Sequence, residues 1–194
     1  MIMTVLEQAL VRLSQTLSDN GIPYMIIGGM ANAVWGEPRA TLDIDATVWV
    51  RDDQISETIT TLEKVFQPLV SNPRQFIRDT SVLPLQTEEG VRIDLIFGTL
   101  PYEQKAIARA VELSIADYRV RFCTPEDLIL HKIVSERERD LADARGVTLR
   151  RIQSLDITYL DSRVRELADS LGRSEILSNW ERWKREAKDR ERSL

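Results

Sequence analysis

The sequence predicts an α/β fold, a small mixed sheet with helices packed on it, followed by a helical C-terminal segment. Three observations point there. A short apolar run, Tyr24 to Ile27, stops at Gly28-Gly29, gives way to helical composition from Met30 to Trp35, and is answered by a second apolar run from Leu42 to Val50. Two further extended stretches, Ser81 to Thr87 and Val91 to Gly98, are separated only by Glu88-Glu89-Gly90, the spacing of a hairpin. From Val147 onward the chain turns charged and helical, which divides it into a domain of residues 1–146 and a helical extension of residues 147–194.

Taken in order, Thr4 to Ser18 places Val5, Leu6, Leu10, Leu13 and Leu17 on one helical face, and Asn20-Gly21 ends it. Pro23 opens the first strand. On the second, side chains alternate faces, so Asp43 and Asp45 point the same way while Ile44 points into the core. Two carboxylates so placed repel each other unless a divalent cation bridges them, and hard oxygen ligands suit Mg²⁺. Gly28-Gly29 at a helix start supplies the complementary half, because backbone N–H groups can approach a phosphate there. Singly, a Gly-Gly is most often a turn and an Asp-x-Asp occurs on exposed edge strands; together and in this order they read as a nucleotide site.

Asp52-Asp53 is expected to cap a helix from Gln54 to Phe66, and Pro68 to Pro73 breaks the chain. The strand VRIDLIF then carries Asp94 between Ile93 and Leu95, a charge amid aliphatic residues. Pro101 starts a helix expected to reach Leu113, and Tyr118 to Phe122 returns to the sheet. Thr124 is expected to cap, with Asp127, one long helix from Pro125 to Gly146. Lys132, Glu136, Arg139, Asp140 and Asp143 would then share one face, which on composition alone reads as solvated ion pairs. His131, the only histidine, reads as packing or surface. Candidate helices of the extension run from Thr148 to Leu155, Leu160 to Leu171 and Ser174 to Arg192. The last has a stripe of Trp180, Trp183 and Ala187, and interleaved Glu181, Glu186, Asp189 and Glu191 dilute its arginines and lysines. It therefore reads as an amphipathic helix folding back rather than a basic RNA-guiding surface.

Composition bounds the function. The 194 residues are 43 % hydrophobic with a net charge of −5, which excludes a wholly basic nucleic-acid coat. Cys123 is the single cysteine and suits a reducing compartment. No apolar run approaches a membrane span, and the N-terminus lacks a signal peptide's pattern. A soluble, cytoplasmic protein with no membrane partner is expected.

The order Gly28-Gly29, then Asp43-x-Asp45, then Asp94, resembles the polymerase-beta-like nucleotidyltransferase superfamily. Within it, Gly-Gly and RATLDIDATV (Arg39 to Val48) are most similar to the AbiEii-type toxin nucleotidyltransferases. Lys132 and Arg139-Asp140-x-x-Asp143 stand where those toxins carry a lysine and an Arg-Asp-x-x-Asp cluster. Met30 departs from the wider superfamily, which often has serine there. The resemblance implies transfer of a nucleoside monophosphate from an NTP such as ATP to an acceptor hydroxyl. Asp43, Asp45 and Asp94 would hold two Mg²⁺ ions, with Mn²⁺ as the other candidate. Gly28, Gly29, Arg39, Thr41, Lys132, Arg139, Asp140 and Asp143 would serve the nucleotide, and Lys132 and Asp94 would join the catalytic set. It implies an RNA acceptor such as a tRNA 3′ end, or a protein acceptor, and a cognate antitoxin or toxin partner. The alternatives are a small-molecule, antibiotic-type nucleotidyltransferase and a non-catalytic nucleotide-binding module. On this reading Lys132→Ala leaves the fold intact and lowers transfer about a hundredfold or more.

Overall fold

The computed structural model describes residues 3–192, the side chain of Glu191 excepted; that side chain and the final two residues of the expected extension lie outside the described residues. The chain forms two compact units. One comprises the residues up to Met30 together with Ala40–Cys123, the other Ala31–Arg39 together with the residues from Thr124 onward.

The first unit holds a seven-stranded mixed sheet: β1 (Tyr24–Ile26), β2 (Asp43–Val48), β3 (Gln67–Pro68), β4 (Val82–Gln86), β5 (Arg92–Phe97), β6 (Val111–Ile115) and β7 (Tyr118–Phe122), in the order β3-β4-β5-β2-β1-β7-β6. Its centre is the parallel pair β2/β5, in register from Asp43 opposite Arg92 to Val48 opposite Phe97. β1 runs antiparallel to β2 and parallel to β7. Ile44, Ala46 and Val48 of β2 and Ile93, Leu95 and Phe97 of β5 are buried, each large one contributing roughly 1.5–3 kcal/mol. A slip of one residue would expose all of them and drive the aspartates inward, so the aliphatic set fixes the carboxylates' register.

The helices of this unit are α1 (Val5–Asp19), the start of α2 (Gly28–Trp35), α3 (Ile55–Glu63), α4 (Pro73–Thr80) and α5 (Pro101–Arg109). Thr4 and Glu7 close a reciprocal capping box on α1, and Leu10, Leu13 and Leu17 fill its inner face. Two local expectations are corrected here, and one stretch that the sequence reading left unassigned is a helix. Asp52 and Asp53 do not cap α3 by side-chain hydrogen bonds; they form a 3-10 turn, and Asp53 pairs with Arg51. The stretch after Pro73 is the helix α4, capped by Asn72 accepting from the Gln75 N–H. Val111–Ile115 is a strand on β7 rather than the end of a helix, because V-E-L-S-I alternates with period two.

The second unit contains α6 (Pro125–Ile133), α7 (Glu138–Arg151), α8 (Ile157–Leu171) and α9 (Ser174–Arg192), joined by the end of α2 and the segment to Arg39. Trp180, Trp183 and Ala187 are buried, so α9 does fold back on its unit. The expected helix from Pro125 to Gly146 is two helices. The break at Ser135–Arg137 is held by the Ser135 hydroxyl, which donates to Asp140 and accepts from the Arg137 N–H. Gly146 lies inside α7 and ends nothing. Among the described residues no helix is long and apolar enough to cross a membrane.

Candidate active site

In the first unit the parallel register brings three of the expected residues onto one face. Asp45 stands opposite Asp94, and Asp43 opposite Arg92. Partner residues on neighbouring parallel strands, about 4.8 Å apart, project the same way, so the block contains three carboxylates and one guanidinium. Each aspartate is half-buried while its neighbours in sequence on β2 and β5 are buried or, for Arg92, two places away, exposed. Thr41 donates its hydroxyl to Asp43 Oδ1 at 2.8 Å. Arg92 grips Asp94 through Nε to both oxygens at 3.1 Å and through its NH2 group to Oδ1 at 2.9 Å. The Arg92 guanidinium is held more firmly protonated than usual, first by Asp94 and further by Asp43 and Asp45.

The glycine turn belongs to the same place. Gly28 has φ +62°, the left-handed region, and a Cβ added there would overlap the Asp45 carboxylate. A Cβ on Gly29 would meet Thr41 Oγ1. Both glycines therefore make room for the Asp43/Asp45 apparatus, and this adds a packing reason to the phosphate-cradle reading of the sequence.

In the second unit Lys132, Asp140, Asp143 and Arg39 form one ion network. The Lys132 ammonium donates to Asp140 Oδ1 at 2.7 Å and lies 2.9 Å from Asp143 Oδ2. Arg39 donates to Asp143 from Nε and NH2 at 2.9 to 3.3 Å. The side chains of Lys132 and Asp143 are only 7 % and 8 % exposed. Burial opposes ionisation of both aspartates, but hydrogen bonds outweigh it. Arg39 and Lys132 hold Asp143 below the usual carboxylate range, and Lys132 and Ser135 do so for Asp140. Lys132 and the two aspartates thus share no helical face; they meet across the α6/α7 break. Arg139 is exposed and stands outside this network.

The profile of one protein family, described as "Nucleotidyltransferase of unknown function (DUF6036)", matches residues 2–188. The chain belongs to this family, and it is a nucleotidyltransferase. Solved structures agree on the fold. An antigenic nucleotidyltransferase-like protein from Paracoccidioides brasiliensis superposes with a TM-score of 0.55 at 19 % identity, over 90 % of this chain and 91 % of that one. The antibiotic-resistance factor ANT(2'')-Ia gives 0.60 at 15 % identity, over 90 % and 97 %. The lincosamide antibiotic adenylyltransferase LnuA, solved with lincomycin bound, gives 0.51 at 17 %, over 75 % and 96 %. No curated protein matches the chain.

For this nucleotidyltransferase the donor set suits a hard divalent cation, being three carboxylates on one face and no thiolate or imidazole. Among the described residues, however, no three such side chains already converge as a metal would require. Within the chain, Arg92 donates to both oxygens of Asp94, and the Thr41 hydroxyl donates to Asp43. Arg92 is the residue the sequence reading missed. Its signal was present as Arg-x-Asp on a strand, which places the two side chains on one face.

Gly28→Ala should destabilise the nucleotidyltransferase by more than the ~1 kcal/mol that a left-handed alanine costs, because the new methyl also displaces Asp45. Gly21→Ala is the control, with φ +65° and open space around it. Urea melts of both, with transfer assays, check this. Equal destabilisation and equal activity would mean the Asp45 contact is immaterial.

Proposed function

We propose that the protein moves a nucleoside monophosphate from an NTP to an acceptor hydroxyl, releasing pyrophosphate, with Asp43, Asp45 and Asp94 as the holders of Mg²⁺ or Mn²⁺. The observation that carries this is the in-register pairing of Asp45 with Asp94 beside the Gly28 turn, in a chain of a nucleotidyltransferase family. Bound divalent ions would offset negative charge on the phosphates and activate the acceptor oxygen. The chain's own groups do the rest. Thr41 fixes the rotamer of Asp43. The backbone N–H groups at the start of α2 favour phosphate at that end of the helix. Asp94, once clear of Arg92, is the base that takes the acceptor's hydroxyl proton on a carboxylate oxygen. Lys132, Arg39, Asp140 and Asp143 enter first as a fixed ion network that joins α6 to α7, and only through that framework as servants of the nucleotide.

For the acceptor we favour an RNA such as a tRNA 3′ end, or a protein hydroxyl, in a toxin-antitoxin pair. The support is the likeness of RATLDIDATV and Gly28-Gly29 to the toxin branch. The second reading is a small antibiotic. It is favoured by the fold likeness to ANT(2'')-Ia, solved in complex with adenylyl-2''-tobramycin, and to LnuA. Each of the four α-³²P-labelled NTPs should be offered with Mg²⁺ or Mn²⁺ to total tRNA, to a cognate neighbour-encoded protein, and to aminoglycoside and lincosamide panels. Label on tRNA or protein supports the first reading, and label on an antibiotic the second. Metal-dependent nucleotide binding with no pyrophosphate released to any acceptor would defeat both.

A further inference from the structure

Arg92 has a role that neither the family nor the fold assigns. The block on β2 and β5 concentrates three carboxylates on one face, and Arg92 lies inside it, opposite Asp43 and two places before Asp94. Arginine–carboxylate pairs are strongest and most directional when both oxygens are engaged. Here the fork engages both oxygens of Asp94, although the Arg92 side chain itself is 56 % exposed and Asp94 is 24 % exposed. Like charges on adjacent strands repel, so the trio needs a counter-charge. A guanidinium, planar and permanently charged, supplies it without being consumed.

We propose that Arg92 is the resident counterion of the carboxylate block and a positioning residue for Asp94. It neutralises Asp94 while the divalent cation is absent, and it must swing aside, into the solvent its side chain already faces, before Asp94 can join Asp43 and Asp45 as a ligand. Arg92 and the cation therefore compete for the same two oxygens. That competition weakens cation binding, so that occupancy of the site is left to the moment when nucleotide phosphates add their own charge. The inference rests on the cation assignment above.

The test uses the full chain, chelator-treated, with Mn²⁺ alone as probe and free Mn²⁺ counted by electron paramagnetic resonance. Arg92→Ala should bind Mn²⁺ about tenfold more tightly than wild type at low salt, the scale of removing one partly solvated unit charge near a divalent ion, with the difference shrinking at high salt. Arg92→Lys, which keeps the charge, should stay within about threefold of wild type. Thermal melts in EDTA should show Arg92→Ala folded but less stable than wild type, and Mn²⁺ should remove that deficit. Equal Mn²⁺ affinity in all three proteins, or weaker binding by Arg92→Ala, overturns this inference and leaves the cation assignment standing. Absence of Mn²⁺ binding in all three, with or without a non-hydrolysable NTP, overturns the cation assignment itself and this inference with it.

Discussion

Asp45→Asn should lower nucleotidyl transfer by about a thousandfold and leave the sheet folded. The substitution keeps shape and volume, so the side chain still fills the space that Gly28 leaves open. What it loses is charge. A neutral amide holds a divalent cation poorly, and the loss of one preorganised electrostatic contact at a reacting phosphate costs on the order of 10²–10³ in rate, with a metal ligand at or beyond the upper end. Stability should move the other way or not at all. Asp45 stands opposite Asp94 on the neighbouring strand, and removing one of two like charges relieves repulsion. Steady-state turnover of labelled NTP, paired with circular dichroism melts, reads both quantities. Retention of more than a tenth of wild-type activity would remove Asp45 from the reaction.

Lys132→Ala should be severe for a different reason than the sequence suggests. There it reads as a charge whose loss spares the fold. In the structure its ammonium is buried between Asp140 and Asp143, with Arg39 on the far side of Asp143. Breaking a buried pair by removing one partner costs about 3–5 kcal/mol, against the tenths expected for an exposed pair, and that is a large share of a typical total of about 5–15 kcal/mol. The helical unit should therefore melt early or fail to assemble. Lys132→Met combined with Asp140→Asn and Asp143→Asn should recover much of the loss, because no charge is then stranded.

The same network carries a pH dependence. Asp140 and Asp143 have folded-state values below their unfolded ones. Their contribution is thus present above the unfolded value of about 3.9 and is lost as pH falls through the depressed folded values. Wild type should lose stability on that acid side, while Lys132→Ala should lose less there. Urea titrations at neutral pH and near pH 3 measure the difference. A Lys132→Ala protein within half a kcal/mol of wild type at neutral pH would show that the network does not hold α6 to α7.

The sheet's centre was legible because β2 and β5 alternate: Ile44, Ala46, Ile93 and Leu95 are buried, and Asp43, Asp45 and Asp94 between them are only half-buried. Asp43, Asp45 and Asp94 came with it. What escaped had weaker local signals. The strand Val111–Ile115 follows directly on a helix with no glycine or proline between, so its period-two pattern was absorbed into the helix. Helix α4 buries Ile77 and half-buries Phe76, too little apolar surface to announce a face. The break at Ser135–Arg137 contains neither glycine nor proline; it is stabilised by the Ser135 and Asp140 side chains, a tertiary agreement that spacing along one helix cannot reveal. Lys132 beside Asp140 and Asp143 fits helical spacing well, and only the break shows that the three come from two helices. Arg92 was passed over because a charged residue at the start of a strand is commonplace. Its meaning depends on the register with Asp43.

The burial of Trp180 and Trp183 in α9 has a practical consequence. Of the four tryptophans, Trp35, Trp180 and Trp183 belong to the helical unit and Trp49 alone to the sheet unit. The Trp180 indole N–H donates to Asp161 at 2.6 Å, with the Lys184 ammonium 5.3 Å from the ring centroid. Intrinsic fluorescence excited at the red edge of indole absorption is therefore chiefly a report on the helical unit, and its red shift marks the moment water reaches those rings. Far-ultraviolet dichroism reads the whole chain. Discordance between the two traces in a single denaturant titration would reveal that the two units unfold separately, with no label introduced.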